Sequence, residues 1–193
     1  KARISGLLLG FVVLATVLAT ANTYGSTLAA ALFLNRAGAN AIPLYYVLYA
    51  GLSIPVAMAF SQVIDRWPRA GVFTVLLIGG AILTAAVAPA ARAETKALFY
   101  ALYIVISVFE QLSYSVFYVL MTDYCPSVEN NRSTTAIAVG MALGGLAGGA
   151  LAGAGASIFS SADLLFGMLA LLVVALGSFV IIRRRIAALG EAE

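Results

Sequence analysis

Apolar residues along this chain form long runs that are separated by short charged segments. Five of the runs contain no charged residue and the sixth contains only Glu110; together they are 4–35, 37–64, 70–91, 97–122, 133–162 and 164–182. A bilayer span needs about 20 predominantly apolar residues, and each run is long enough to supply one. The pattern predicts an all-α, polytopic membrane protein in which residues 1–193 form one six-helix transmembrane domain. The predicted helices are 4–35, 42–63, 71–90, 97–122, 133–159 and 163–182.

Composition agrees with this interpretation and excludes several classes of protein. Hydrophobic residues make up 63% of the chain and charged residues 10%, whereas soluble domains contain about 25% charged residues. The chain has no histidine and a single cysteine, Cys125, which excludes Ser–His or Cys–His catalysis and a thiolate or imidazole metal site. The net charge of +3 is too small to indicate nucleic-acid binding. We therefore expect no enzymatic activity, no metal and no cofactor.

The basic residues predict the orientation in the membrane, because cytoplasmic loops carry an excess of Lys and Arg. With a cytoplasmic N-terminus, eight basic residues lie on the inner side and three on the outer side. We therefore expect both termini in the cytoplasm. The Ala- and Gly-rich composition is typical of bacterial proteins, so the expected location is a bacterial inner (plasma) membrane. Because the first residue is Lys1 rather than Met, we expect the chain to be a fragment of a longer protein or to have a trimmed N-terminus.

Glu110 is the only acidic or basic residue inside the six apolar runs. Placing an Asp, Lys or Arg at the bilayer centre costs about 2.5–3.5 kcal/mol on insertion scales, so we expect Glu110 to face the bundle interior or a hydrated cavity. Tyr103 and Tyr114 recur on its helix face at spacings of seven and four residues. We interpret this face as part of a substrate or proton pathway.

Two other predicted helices carry polar faces that match this one. Threonines recur along the first helix next to an asparagine and a serine, and tyrosines mark the second helix. We expect these faces to converge with Glu110 on a hydrated cleft, and the alternative is that they only form hydrogen bonds between helices. The candidate pathway residues on these two helices are Asn22, Thr23, Tyr46 and Tyr49.

Two rows of glycines follow the fifth predicted helix at intervals of four residues. Glycines at this spacing let neighbouring helix backbones approach closely. Tight packing inside one bundle and a moving interface between two halves are both open interpretations. The candidate packing residues are Gly140, Gly144 and Gly148 in one row and Gly145, Gly149 and Gly153 in the other.

Residues 61–69, Ser-Gln-Val-Ile-Asp-Arg-Trp-Pro-Arg, resemble the loop motif between helices two and three of the major facilitator superfamily. Asp65, Arg66 and Arg69 match that motif, whereas Ser61 and Pro68 stand where the family has glycines. Two further segments are similar to bacterial relatives of the ATP/ADP carriers. These segments are Leu-Phe-Leu-Asn-Arg-Ala-Gly at 32–38 and Ile-Pro-Leu-Tyr-Tyr at 42–46.

The resemblance implies that the chain is the N-terminal six-helix half of a transporter and is built from two inverted three-helix repeats. Such a transporter works by alternating access. An ion-pair cluster of Asp65, Arg66, Arg69 and Asp123 is a candidate cytoplasmic gate, and the alternative is that these residues only lie at headgroup level and determine topology. Carriers of nucleotides in this family use basic residues within the membrane. No Lys or Arg lies within a predicted span here, so a nucleotide substrate does not follow.

These observations predict a secondary transporter, or half of one, that moves a small solute, with Glu110 as a candidate for proton coupling. The expected partners are the lipid bilayer, a small-molecule substrate and a second six-helix half or another membrane subunit. The alternative prediction is a non-transporting membrane module of similar fold. Such a module would act as an anchor, a regulator or an accessory subunit of a larger assembly.

Overall fold

The computed structural model describes residues 2–87, 96–124, 131–159 and 161–190. Within these ranges the chain is helical and contains no strand. A single 3₁₀ turn, Ala39–Ala41, separates the first two α-helices. The helices are α1 (Ala2–Ala37), α2 (Ile42–Arg66), α3 (Arg69–Val87), α4 (Lys96–Tyr124), α5 (Asn131–Ala156) and α6 (Ser161–Gly190).

All six helices are long and apolar enough to cross a membrane, which confirms the predicted all-α fold with six candidate spans. Their ends differ from the predicted ones. α5 ends at Ala156 rather than 159, because residues 157–159 form a turn in which the Ile158 amide donates to the carbonyl three residues earlier, Gly155, at 3.0 Å. α6 continues to Gly190, and residues 88–90 of the predicted third helix lie outside the described residues.

The connection between α1 and α2 depends on one backbone conformation. Gly38 has φ 84° and ψ 163°, a region that residues with a Cβ rarely adopt. Its amide donates to the Leu34 carbonyl at 3.1 Å and closes the end of α1. Pro43 then occupies the first turn of α2, where its missing amide proton leaves no helical bond unmade.

Helices that are consecutive in the chain alternate in direction. Gly10 near the start of α1 lies against Ile182 near the end of α6, whereas Tyr24 farther along α1 bonds the Leu164 carbonyl near the start of α6. The two helices are therefore antiparallel, and the start of α1 and the end of α6 lie at the same end of the bundle. The same reasoning makes α1 antiparallel to α4 and parallel to α5.

α1 is the centre of the bundle and packs against α4, α5 and α6. α4 in turn packs against α1, α2 and α3, and α3 also packs against α6. If α1, α2 and α3 are exchanged with α4, α5 and α6 respectively, each of these main helix pairs maps onto another pair or onto itself. The described bundle thus has the contact pattern of a two-fold arrangement.

α2 is the least packed helix. Only 6% of its most apolar stretch is buried, compared with 44% for α1 and for α4. Its second half stands away from α3 and α4 and leaves an open groove of about 740 Å³. Apolar side chains line this groove, including Leu52 of α2, Trp67 directly after α2 and Phe109 of α4, so its surface suits lipid chains rather than a polar solute.

Candidate functional site

Glu110 lies midway along α4, on the side of the helix that faces α1 and α2. Ser26 of α1 lies near its carboxyl group, and the Ser26 hydroxyl donates to the Thr23 carbonyl at 3.4 Å. The phenols of Tyr49, Tyr103 and Tyr114 are close enough to interact with it electrostatically. No described Lys or Arg lies within ion-pair distance of Glu110, since the only ion pair between two described side chains joins Arg69 and Asp123.

A chain of hydrogen bonds connects α1 to α4 next to this carboxyl group. The side-chain amide of Asn22 donates to the Ser113 hydroxyl at 2.9 Å, and that hydroxyl donates to the Glu110 carbonyl at 2.9 Å. Asn22 is 1% exposed, and its Oδ1 atom has no hydrogen-bond partner among the described residues. A buried, unsatisfied acceptor costs about 1–3 kcal/mol, so this atom is an available acceptor in the interior of the bundle.

These residues form one continuous polar surface at mid-depth between α1 and α4. Ser26 follows Asn22 by one helical turn, and Tyr114 lies close to both Asn22 and Glu110. We call this surface the polar seam. It consists of Asn22, Ser26, Glu110, Ser113 and Tyr114.

Tyrosines join the first half of α2 to α4 beside the polar seam. The Tyr45 hydroxyl donates to Ser107 Oγ at 2.7 Å, because the Ser107 proton is directed at the Tyr103 carbonyl. The rings of Tyr45 and Tyr103 stack with centroids 4.1 Å apart. One turn farther on, the Tyr49 hydroxyl donates to Gln111 Oε1 at 3.0 Å. We call Tyr45, Tyr49 and Tyr103 the tyrosine cluster.

The threonines of α1 take a different position from the one predicted. Thr16 and Thr20 donate to carbonyls one turn earlier in α1, and Thr16, Thr20 and Thr23 all contact the glycine face of α5. Asn22 faces α4, whereas its neighbour Thr23 faces α5, because successive residues of a helix point about 100° apart. The threonine face therefore does not join Glu110, and these hydroxyls serve packing between α1 and α5.

The tyrosines of α2 that contact α4 also differ from the predicted ones. Tyr46 is 60% exposed, whereas Tyr45 is 3% exposed and makes the closest contacts with α4. Tyr45 and Tyr49 are four residues apart and so share a helix face. Tyr46 and Tyr49, three residues apart, share a face in the same way, so spacing alone does not distinguish Tyr45 from Tyr46. No sequence signal marked Ser113 either, whose role depends on where Asn22 meets α4.

The two glycine rows of α5 have different surroundings. A Cβ at Gly140 would lie 2.9 Å from Thr16 Oγ1, and one at Gly148 would lie 2.5 Å from the Thr20 carbonyl oxygen. Gly144, between them, faces the Thr16 carbonyl oxygen even more closely. In the other row, a Cβ at Gly145 would only reach ordinary contact with Thr23 Oγ1 at 3.6 Å, and those at Gly149 and Gly153 would meet nothing within 4 Å.

The four candidate gate residues lie at one end of the bundle, where α2 ends, α3 begins and α4 ends. Arg69 and Asp123 form an ion pair between α3 and α4, with side chains 42% and 33% exposed. Asp65 contributes electrostatically to the environment of Arg69, and Arg66 has no ion-pair partner among the described residues. The structure thus brings three of the four residues into one electrostatic group.

In comparisons with known proteins, no protein-family model matches the chain, and no curated protein or solved structure matches it either. The polar seam, the tyrosine cluster and the arrangement of the helices are therefore the observations that bear on function.

Proposed function

We propose that this chain is a six-helix half of a secondary transporter, similar in plan to the major facilitator superfamily, that moves a small solute by alternating access. The polar seam is the observation that carries the proposal. An acidic side chain at mid-membrane depth is costly unless it lines a pathway or has a partner. Glu110 has neutral hydroxyl neighbours instead of a basic partner in the described chain, as a group that binds solute or protons requires.

The arrangement of the helices supports two inverted three-helix repeats. The exchange that maps the main contacts onto one another also reverses helix direction: α1 is antiparallel to α4, and each of them is parallel to one partner, α5 or α2 respectively. Inverted repeats related by an axis in the membrane plane are a common plan of transporters, which bind substrate at the repeat interface near the midplane. The polar seam occupies that interface, between α1 and α4.

The exposure of α2 supports a second half beside this one. Few residues of α2 are buried within its own bundle, so α2 forms an uncovered outer wall beside the polar seam. In our proposal another six-helix unit covers that wall, and rocking between the two units exposes Glu110 alternately to the two sides. Both termini lie in the cytoplasm of a bacterial cell in this arrangement, and the Arg69–Asp123 pair belongs to the cytoplasmic gate.

Solute uptake into vesicles tests the proposal. The full chain is reconstituted with a panel of labelled solutes, with and without a proton gradient, and Glu110→Gln is compared with the parent protein. We expect the variant to lose at least 10-fold in uptake or to lose its response to the gradient. Asp163→Asn is the matched control, because it removes one carboxylate from an exposed position at the start of α6. Uptake by Glu110→Gln equal to that of the parent, with and without the gradient, would exclude Glu110 from the mechanism, and a parent chain that takes up none of the solutes would refute the proposal.

The exposed α2 also favours a second candidate function, a membrane module that docks onto a larger assembly without transporting a solute. Such a module needs an uncovered helix but no ionisable group at mid-depth. A chain that transports none of the solutes, and in which Glu110→Gln and Asp163→Asn both leave assembly with a copurifying membrane subunit unchanged, would support this candidate.

A further inference from the structure

The polar groups that surround Glu110 have a consistent chemical character. Around the carboxylate the described residues provide neutral hydroxyl groups from Ser26, Tyr49 and Tyr114. The acceptor Asn22 Oδ1 lies in the same polar seam and has no hydrogen-bond partner in the part of the chain that the structure describes. The seam therefore offers one full negative charge and a free carbonyl oxygen, but no positive charge to hold an anion.

Aromatic surface adjoins these oxygens on one side. The tyrosine cluster stands beside Glu110, with the Tyr45 and Tyr49 rings nearly parallel, 13° apart in plane, and the Tyr45 and Tyr103 rings 9° apart. The facing sides of Tyr45 and Tyr103 cover each other, so a cation would meet an outer ring face of the cluster. A tyrosine face attracts cations through the ring quadrupole, and this attraction grows when water is excluded. A carboxylate next to aromatic rings is the combination that favours an ammonium group with an apolar body.

From this geometry we infer that the polar seam binds an organic cation, an ammonium compound or a similar singly charged ion. Glu110 is its counter-ion and Asn22 Oδ1 is an acceptor for it. The inference rests on the proposed transport function and specifies the class of its substrate. A neutral solute would leave the carboxylate without a counter-ion, and an anion would be repelled by it.

Competition with protons follows from the same arrangement. The titratable groups that face Glu110 among the described residues are the phenols of Tyr49 on α2 and of Tyr103 and Tyr114 on α4. Near neutral pH these phenols stay protonated, so the carboxyl group alone changes charge. A proton and an organic cation thus neutralise the same site in turn, and we expect the affinity for the cation to fall as the pH is lowered.

Binding of a matched pair of ions tests the inference. Labelled tetraphenylphosphonium and tetraphenylborate have nearly the same shape and opposite charge, and equilibrium dialysis of the full chain in detergent measures both. We expect saturable binding of the cation only. Glu110→Gln should lower its affinity at least 10-fold, whereas Glu110→Asp, which keeps the charge, and the control Asp163→Asn should stay within about threefold of the parent. Asn22→Leu should leave the affinity for tetraphenylphosphonium unchanged, because this ion has no N–H donor, but should weaken binding of a labelled primary alkylammonium ion severalfold.

Three results would overturn the inference: equal binding of the anion, unchanged affinity for the cation in Glu110→Gln, or an affinity for the cation that does not depend on pH. Size-exclusion chromatography of each variant separates loss of binding from loss of fold. Failure of the transport proposal gives a different result, namely saturable cation binding without uptake of any solute. Uptake of a neutral or anionic solute without cation binding would leave transport intact and refute the cation site.

Discussion

Two helix contacts occupy equivalent places in the bundle and are built differently. α5 lies on α1, and α2 lies on α4, each in parallel orientation. Glycines of α5 bring its backbone against the carbonyl groups of Thr16 and Thr20, and this contact extends over at least two turns. α2 instead reaches α4 through long side chains, the hydroxyls of Tyr45 and Tyr49, and only along its first half.

We expect the α1–α5 contact to be fixed and the α2–α4 contact to be able to change. A close backbone approach has no flexible side chain that can absorb a displacement, so α1 and α5 are expected to move as one body. The α2 contact depends on a few hydrogen bonds and stacked rings, and beyond Leu52 the helix borders an open groove. If the proposed transport function is correct, we expect the polar seam to open and close on the side that α2 covers.

Breaking the α1–α5 contact should have the largest effect on stability. A methyl group at Gly144 would overlap the Thr16 carbonyl oxygen and would lie 2.9 Å from Ala19 Cβ. Because backbone atoms cannot move aside locally, we expect Gly144→Ala to lower the free energy of unfolding by about 1–3 kcal/mol. Thermal unfolding of the purified protein in detergent, monitored by circular dichroism, measures the change.

Gly149→Ala is the matched control for this substitution. It makes the same chemical change one turn farther along α5, where a Cβ meets nothing within 4 Å, and replacing Gly by Ala in a helix gains up to about 1 kcal/mol. We expect this variant to be as stable as the parent or slightly more stable. Equal destabilisation by both substitutions would show that helix flexibility, rather than contact with α1, explains the glycines.

The glycine rows show how far the sequence determines this fold. The six long apolar runs were sufficient to predict six helices, since bilayer thickness and backbone hydrogen bonding leave few other solutions. The two rows, however, have the same spacing in the sequence, and only the placement of α1 distinguishes Gly144 from Gly149. The same limit applies to Asn22 and Thr23, which are both polar residues of α1 but face different neighbours.

Weakening the α2–α4 contact should have an intermediate effect. Tyr45→Phe removes the hydroxyl that donates to Ser107 but keeps the stacked ring. Loss of one hydrogen bond costs about 0.5–1.5 kcal/mol, and we expect a loss of stability in this range. Spin labels on the second half of α2 and on α4 should also report a broader range of distances by electron paramagnetic resonance.

Tyr46→Phe makes the same change on the adjacent residue, which is 60% exposed, and should leave both measurements unchanged. A double-mutant cycle with Ser107→Ala isolates the hydrogen bond from other effects of the substitution. Additive effects of Tyr45→Phe and Ser107→Ala, with no coupling between them, would contradict the assignment of this bond as the connection between the helices.

The smallest effect on stability is expected at the end of the bundle where α2 and α4 end and α3 begins. There the Arg69–Asp123 ion pair joins α3 to α4 through partly exposed side chains, and such pairs contribute about 0–1 kcal/mol. Asp123→Asn should therefore lower stability by no more than about 1 kcal/mol at low salt. The difference should disappear near 1 M salt, where the Debye length is about 3 Å. Asp65→Asn, at the same end but outside any ion pair with a described residue, should change stability less. A loss of stability in Asp123→Asn that does not depend on salt would instead mean that the carboxylate holds the end of α4 by more than its charge. The α3–α4 contact would then belong with the rigid α1–α5 contact rather than with the α2–α4 contact.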